Sequence, residues 1–459
     1  ARAGDPALRH DLRLLADAGL VTSPASTWPV PWATVAHDLD ATSAREPTDP
    51  AVAGARARML IRLNQVRALS GLQPNTRLAA RTDDFWLRTF EDTPRDGAEA
   101  RIGVSWMGDR FAARAQVSYA DDPLPGDNEW RGDGSYLAGT FGNHIVNVGA
   151  LDRWWGPAWN DTLLLSSNAR PVRGVTLERS VAYPFESKWL AWIGPWRYTL
   201  FAGQLGSDSE PRDASLLGFR VDVRPFDSFE VGLTRTAQWC GDDRPCSART
   251  LGNLIIGRDN RGSSGIAEEN EPGNQLAGVD FRWQAPLVRG PWAVYAQAVG
   301  EDEAGGLPSK FFGQAGLEAW GGLGERWPAA SWRAHLEYTN TTVRFLNDEP
   351  EYNTAYEHSV YRTGYRYQNR ALGAAADGDS ELVSLGVTLV DDRAHSWNGL
   401  VRVGDINQRG AGAGRDALHT VSPDELRIAG AQLSHRRAIG REGLELGTLS
   451  VGVGVQYSD

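Results

Sequence analysis

The chain of 459 residues has no apolar run of the roughly 18 residues that a membrane-crossing helix requires. It holds only two cysteines, and it has no basic excess: 47 Lys and Arg stand against 58 Asp and Glu, a formal net charge of -11. The first absence excludes a helical span but not a barrel, whose strands need only about 9–11 residues of alternating polarity. The charge argues against nucleic acid as a partner, because counterion release needs a basic face. It also leaves no polybasic patch for anionic lipid. The motifs H-E-x-x-H and G-x-S-x-G and the Gly-rich phosphate loop are missing. The eight histidines are scattered, with His335, His358 and His395 in or near expected strands. With 58 acidic residues, some carboxylate pair would fall at glycosidase spacing by chance, so that signal carries nothing. No catalytic residue, cofactor or metal centre is expected. The chain opens at Ala1 without an initiator Met or a signal-type apolar core, as a mature form or a trimmed chain would.

What is present points to strands. Glycine, at 51 residues, exceeds the usual share of about 7% and favours turns over long helices. Hydrophobic residues at 41% and charged residues at 23% fit a folded chain. Residues 5 to about 75 read as helical. In "DPALRHDLRLLADAGL", Asp5 is an N-cap, Pro6 suits the first helical position, and Leu8, Leu12 and Leu15 recur at helical spacing before Gly19. "WPVPWATVAHDLD" reads as a second start. "PAVAGARARMLIRLNQVRAL" reads as a third, amphipathic helix with arginines on its polar side.

From about residue 100 the period is two. Phe219, Val221 and Val223 alternate with Arg220, Asp222 and Arg224. Ala277, Val279, Phe281 and Trp283 alternate with Gly278, Asp280 and Arg282, and Leu449 to Tyr457 repeat the pattern. Such a strand suits a wall with hydrocarbon outside and a polar lumen. Short breaks flanked by aromatics fall at Trp192–Trp196, Phe226–Phe229, Trp283–Trp292 and Trp327–Trp332. Longer polar segments fall between them, at Ser207–Ala214, Cys240–Asn274, Glu301–Lys310 and Asn347–Glu357. Tight turns ringed by an aromatic girdle, alternating with long loops, mark an outer-membrane barrel. The pattern gives an all-β, antiparallel transmembrane barrel of about 16 to 18 strands with a small N-terminal α-helical bundle. Asn407–Asp424 breaks the expected alternation, being long where a short turn is due.

The densest feature is "DRWWGPAWNDTLLLSSNARP", Asp152 to Pro171. Trp154, Trp155 and Trp159 could stack on sugar C–H faces, while Asp152, Arg153, Asn160, Asn168 and Arg170 could bond hydroxyls. The competing reading is structural, since Trp-rich segments also anchor barrels and plug lumens. Its expected place is the outer end of the barrel or the lumen. Asp377, Asp379 and Glu381 alternate in a Gly-containing turn as Ca²⁺ ligands might, but the pattern is shorter than an EF-hand loop, and a solvated loop is the expectation. Tyr361, Tyr365 and Tyr367 alternate with Arg362, Arg366 and Arg370, either as a cationic wall for an acidic glycan or as ordinary tyrosine girdle and lumen. Cys240 and Cys246 fit neither zinc nor C-x-x-C spacing. They read as a small disulfide loop in an oxidising compartment or as two free thiols.

The segments "LRHDLRLLADAGLVTSPASTWPVPWATVAHDL", "RWWGPAWNDTLLLSSNARPVRGVTLER", "IGPWRYTLFAGQL", "VGLTRTAQW" and "LGAAADGDSELVSLGV" resemble the Wzi-type capsule assembly proteins of the Gram-negative outer membrane. The Cys240–Cys246 loop is not part of that resemblance. The resemblance implies about eighteen strands, with residues 1–78 as a helical region on the periplasmic side and 79–459 as the barrel. It implies a lectin-like, non-enzymatic role in binding capsular or related exopolysaccharide at the cell surface. The implied partners are surface polysaccharide, the outer-membrane bilayer and the polysaccharide export machinery. The alternatives are a porin-like channel for small solutes or oligosaccharides and, ranked last, a glycan hydrolase.

Overall fold

The structure is a computed structural model and describes residues 1–67, 71–82, 87–255, 273–304, 307–345, 349–410, 419–441 and 444–459. Among the described residues, eighteen strands form a closed antiparallel barrel. Their pairings run along the wall from Leu72–Ala80 to Leu444–Ser458. Trp130–Arg131 and Tyr136–Phe141 lie end to end against Phe111–Asp121. The alternation of the sequence sets the two faces of each strand. In Ser215–Phe226 the side chains of Arg220 and Asp222 are 0% and 1% exposed, whereas Phe219 is 44% exposed. The same inversion holds for Asp280 against Val279 in Gly273–Gln284. Apolar-out and charge-in is the reverse of a water-soluble sheet and is what a hydrocarbon surround demands.

The connections separate by length with two exceptions: 180–195, at the short-turn rim, is longer than 205–214 opposite, and Ala304–Leu307, at the long-loop rim, is tight. Phe226–Phe229, Gln284–Trp292, Gly322–Ser331 and Val390–Ser396 lie at one rim, and the connections at the other rim include 205–214, 346–380 and 407–425. Trp189, Trp192, Phe226, Trp283 and Trp327 stand exposed around the short turns, as an interfacial girdle should. Glu301–Lys310 departs from expectation. Strands Trp292–Ala304 and Leu307–Gly322 pair as far as Ala304↔Leu307, so the polar run extends a hairpin instead of opening a long loop. Asn407–Asp424 does not break the alternation. Ser331–Phe345 pairs directly with Glu381–Val390, the chain between them adds no wall strand, and 407–425 falls at the long-loop rim.

Three helices occupy the short-turn end. Helix α1 is Pro6–Asp17, α2 is Trp32–Ala41 and α3 is Pro50–Arg67. Asp5 caps α1 by accepting from the Leu8 amide at 3.0 Å, Pro6 follows at N1, and Gly19 leaves the helix at φ +71°. All of Pro6–Ala16 is buried, because α1 lies within the barrel against α3 and the wall. In α3 the arginines do not all face solvent, as an amphipathic helix would have it. Arg58 is buried, and its Nε and Nη2 both reach Asp11 of α1. The expected boundary at residue 78 falls inside strand Leu72–Ala80, so the helical region ends before the wall begins.

Candidate functional site

Two segments dip from the long-loop rim into the lumen. Residues 87–96 follow strand Leu72–Ala80, and residues 150–173 join His144–Gly149 to Gly174–Arg179. The second carries the tryptophans. Trp154 and Trp155 pair with Trp28 and Thr27 in a two-stranded sheet inside the barrel, so the segment reaches the helical layer before it returns.

Helix α1 meets it there. Arg9 donates to the carbonyls of Pro157 at 2.9 Å and Ala158 at 2.8 Å. Its guanidinium lies 4.4 Å from the ring centroids of both Phe90 and Trp159. The indole of Trp154 donates to Ala158 O at 3.0 Å, and that of Trp159 donates to Glu318 at 2.9 Å. Glu337 accepts from the amide of Asn160 at 2.9 Å and from the Tyr295 hydroxyl at 2.7 Å.

Below this layer two acids and two arginines close a ring. Asp17 accepts from Arg282 at 2.7 Å and from Arg333 at 2.8 Å, and Glu318 contacts the same two arginines. All four side chains are buried. Such a ring is neutral in sum, and each charge has two partners, which offsets its desolvation. Arg13 binds Glu230 at 2.9 Å, and that carboxylate also accepts from the amides of Ala25 and Ser26. Burial, with Arg333 and Arg58 nearby, holds His10 well below its usual pKa, so it stays neutral beside the Ser331 hydroxyl.

The upper lumen is filled as well. Residues 349–380 fold inward, and Tyr356, Tyr361 and Tyr365 are fully buried. The Tyr356 hydroxyl donates to Leu163 O at 2.7 Å. Gly373 makes that approach possible, since a Cβ there would fall 2.3 Å from the same carbonyl oxygen. Burial lifts Asp161 to about 7, although the Ala375 and Thr162 amides and Arg402 favour its charge. Asp377 is buried too, which alone would raise it. Arg366, at 2.8 Å, with His419 and the Thr420 amide, holds it well below the usual carboxylate range.

The sequence-derived site residues are thus brought together, but inside the plug. Trp154, Trp155, Trp159, Arg153, Asn160, Asn168 and Arg170 are all buried. Arg153 donates to Thr176 Oγ1 and lies over Phe201 at 3.7 Å. Asn168 donates to Ala371 O, and Arg170 takes Asp133 through Nε and Nη2. Asp152 alone keeps a partly exposed side chain, on Arg95 at 2.6 Å. Asp377 and Asp379 are not in a solvated loop. They are buried and serve Arg366 and the Asn353 amide separately, while Glu381 accepts from Tyr338. No cluster of metal-ligating side chains occurs among the described residues. The tyrosine–arginine run divides: Arg366 is buried in the plug, and Arg362 points out at the rim. Cys240 and Cys246 are joined by a disulfide.

Open, polar recesses lie at the long-loop rim. One, of about 390 Å³, is lined by Asp208, Ser209, Glu210, Arg362, Gln368 and Asn369 among others. A second, of about 710 Å³, adjoins it through Glu210 and Arg362 and is lined further by Arg212, Asp242, Asp243 and Arg244. Asp208 accepts from the Gln368 amide at 2.6 Å, and Glu210 faces Arg362 at 3.8 Å. Most of these residues had no motif to announce them. The signal available was the turn chemistry of Gln368-Asn369, both at positive φ in a two-residue hairpin.

The structure is similar to a solved outer-membrane protein of Escherichia coli described as Wzi, involved in group 1 capsule assembly and a carbohydrate-binding β-barrel. The TM-score is 0.84 and the identity 25%, covering all of this chain and 96% of the other. An uncharacterized 55.8 kDa protein in the cps region of Klebsiella pneumoniae is 29% identical over 419 residues, 88% of this chain and 77% of its own length. The family model for capsule assembly protein Wzi matches residues 73–395, which takes in the tryptophan segment and most of the wall, and the chain belongs to that family.

Proposed function

We propose that this protein is an outer-membrane, lectin-like barrel that holds capsular or related exopolysaccharide on the outside of the cell without cleaving it. In this reading the long-loop rim faces outward and carries the glycan. The short turns and the helical region face the periplasm, where the export machinery would meet them. The observation that carries the proposal is the division of polar groups. The lumen buries its charged and polar side chains within the plug, many of them in ion pairs and hydrogen bonds, whereas Asp208, Glu210, Arg212, Asp242, Asp243 and Arg362 of the rim recesses are exposed. Recesses of this size, with carboxylates, guanidinia and side-chain amides converging, suit a polyhydroxylated ligand. The description of the Escherichia coli relative as carbohydrate-binding supports the same class of ligand. The tryptophan segment then acts as scaffold: Trp154, Trp155 and Trp159 fix the plug on which the rim loops rest.

The test is binding of polysaccharide purified from the producing strain to the detergent-solubilised barrel. Replacing Arg362 and Gln368 together by Ala is expected to weaken binding at least ~10-fold, the loss of about 1.4 kcal/mol or more, with heat-modifiable migration unchanged. Equal binding by the folded variant overturns the assignment of the rim.

A further inference from the structure

The disulfide loop lies at this rim and lines the second recess. Asp242, Asp243 and Arg244, which line the second recess, all lie between Cys240 and Cys246. The loop is held from three sides. Its ends are bonded to each other. The Asp242 amide donates to Arg212 O at 2.8 Å, which ties the loop to 205–214. The Tyr361 hydroxyl donates to Cys240 O at 3.1 Å, which ties it to the plug. Cys240 and Asp243 both stand at positive φ, at 66° and 59°, conformations that L-residues adopt at a cost and keep only where the surroundings impose them. A loop so constrained presents two carboxylates and a guanidinium in a fixed array instead of an ensemble.

The two recesses also share a boundary. Glu210 and Arg362 line both and face each other at 3.8 Å, with side chains 64% and 56% exposed. So exposed a pair is weakly held and can open to a ligand. Arg366, which lines the first recess, is already paired with Asp377 and Glu357. The exposed arginines Arg212 and Arg362 and the half-buried Arg244 stand among the carboxylates of Asp208, Glu210, Asp242 and Asp243. Mixed charge of this kind gives acceptors and donors for hydroxyl groups without a net cationic field for a polyanion.

We propose that the Cys240–Cys246 bridge is a binding-site element, which holds Asp242, Asp243 and Arg244 as the wall of a second glycan subsite. An extended, hydroxyl-rich chain then runs across the Glu210–Arg362 boundary and occupies both recesses. This rests on the rim being the polysaccharide site and goes further in assigning the subsite, the length of ligand and the role of the disulfide. Preordering the loop lowers the entropy lost on binding, which is where such a constraint acts.

The experiment titrates the folded barrel with size-fractionated oligosaccharides released from the producing strain's own surface polysaccharide. Wild type is expected to bind long fragments at least ~10-fold more tightly than the shortest ones that bind. The Cys240→Ser, Cys246→Ser double variant is expected to lose that gain and keep its affinity for short fragments. The Asp242→Asn, Asp243→Asn variant leaves the disulfide in place, alters only exposed side chains, and is expected to show the same selective loss should the cysteine variant misfold. Equal length dependence in the folded variants overturns the subsite. Absence of any binding by wild type overturns the rim reading on which it rests.

Discussion

The indole N–H of Trp159 donates to Glu318 at 2.9 Å, and the same carboxylate holds Arg282 and Arg333. One hydrogen bond thereby joins the tryptophan segment, which descends from the long-loop rim, to the ring of charges that clamps α1. Trp159→Phe keeps an aromatic ring beside Arg9, removes the donor and leaves a small gap where the larger indole stood. It is expected to cost about 1.5–3 kcal/mol, the worth of a hydrogen bond to a charged group. Trp159→Ala opens a cavity as well and is expected to cost roughly 3–5 kcal/mol. Unfolding in detergent, followed by loss of heat-modifiable migration, measures both. Equal stability of the two variants would show that the ring fills no tightly packed space.

Asp17 is the only α1 carboxylate in that ring among the described residues. Asp17→Ala leaves Arg282 and Arg333 to share Glu318 alone, and removing one member of a buried ionic group costs about 3–5 kcal/mol. The expected result is release of α1. The chain before Thr27 is expected to become sensitive to protease, and transient conductance to appear in planar bilayers, where wild type is expected to show no steady open channel. A steady ohmic pore in wild type would favour the porin-like reading instead.

Asp161 gives a pH dependence. Its folded pKa is raised from 3.8 to about 7 by burial. The cost of ionising it is fully present above pH 7, diminishes as pH falls through 7, and is gone near its unfolded value. Asp161→Asn keeps an acceptor for the Ala375 amide and carries no charge. It is expected to exceed wild type in stability at pH 8 by roughly 2–4 kcal/mol, and to lose that advantage by about pH 4. Asp377 has the opposite sign. Its carboxylate is held well below 3.8 by Arg366, and the stability this gives is lost only as pH falls below that value. An advantage of the Asn variant that did not change between pH 4 and 8 would contradict the buried, raised carboxylate.

The wall was legible in the sequence because its signal is local. Arg220 beside Phe219 and Asp280 beside Val279 show the inverted alternation residue by residue, and Phe226–Phe229 shows a short aromatic turn without any partner in view. The first helix was legible for the same reason, through Asp5, Pro6 and Gly19. The plug was not, because its contacts join residues far apart in the chain. Trp159 and Glu318 are 159 positions apart, and Asn168 and Ala371 are 203 apart. Nothing near Trp159 shows whether its indole will meet a sugar or a glutamate. Glu301–Lys310 misleads in another way. A strand that continues beyond the hydrocarbon carries polar residues on both faces and reads as a loop. The reverse error hides Asp377 and Asp379, which look solvated but are buried against Arg366 and a backbone amide.

The most direct test is amide hydrogen exchange of the intact barrel with and without polysaccharide from the producing strain. The account expects added protection at Asp208–Arg212, at Asp242–Arg244 and at Ser359–Asn369, with Arg153–Arg170 and the helices unchanged. Protection confined to Arg153–Arg170 or to the short-turn end, with the rim loops unaffected, would contradict it.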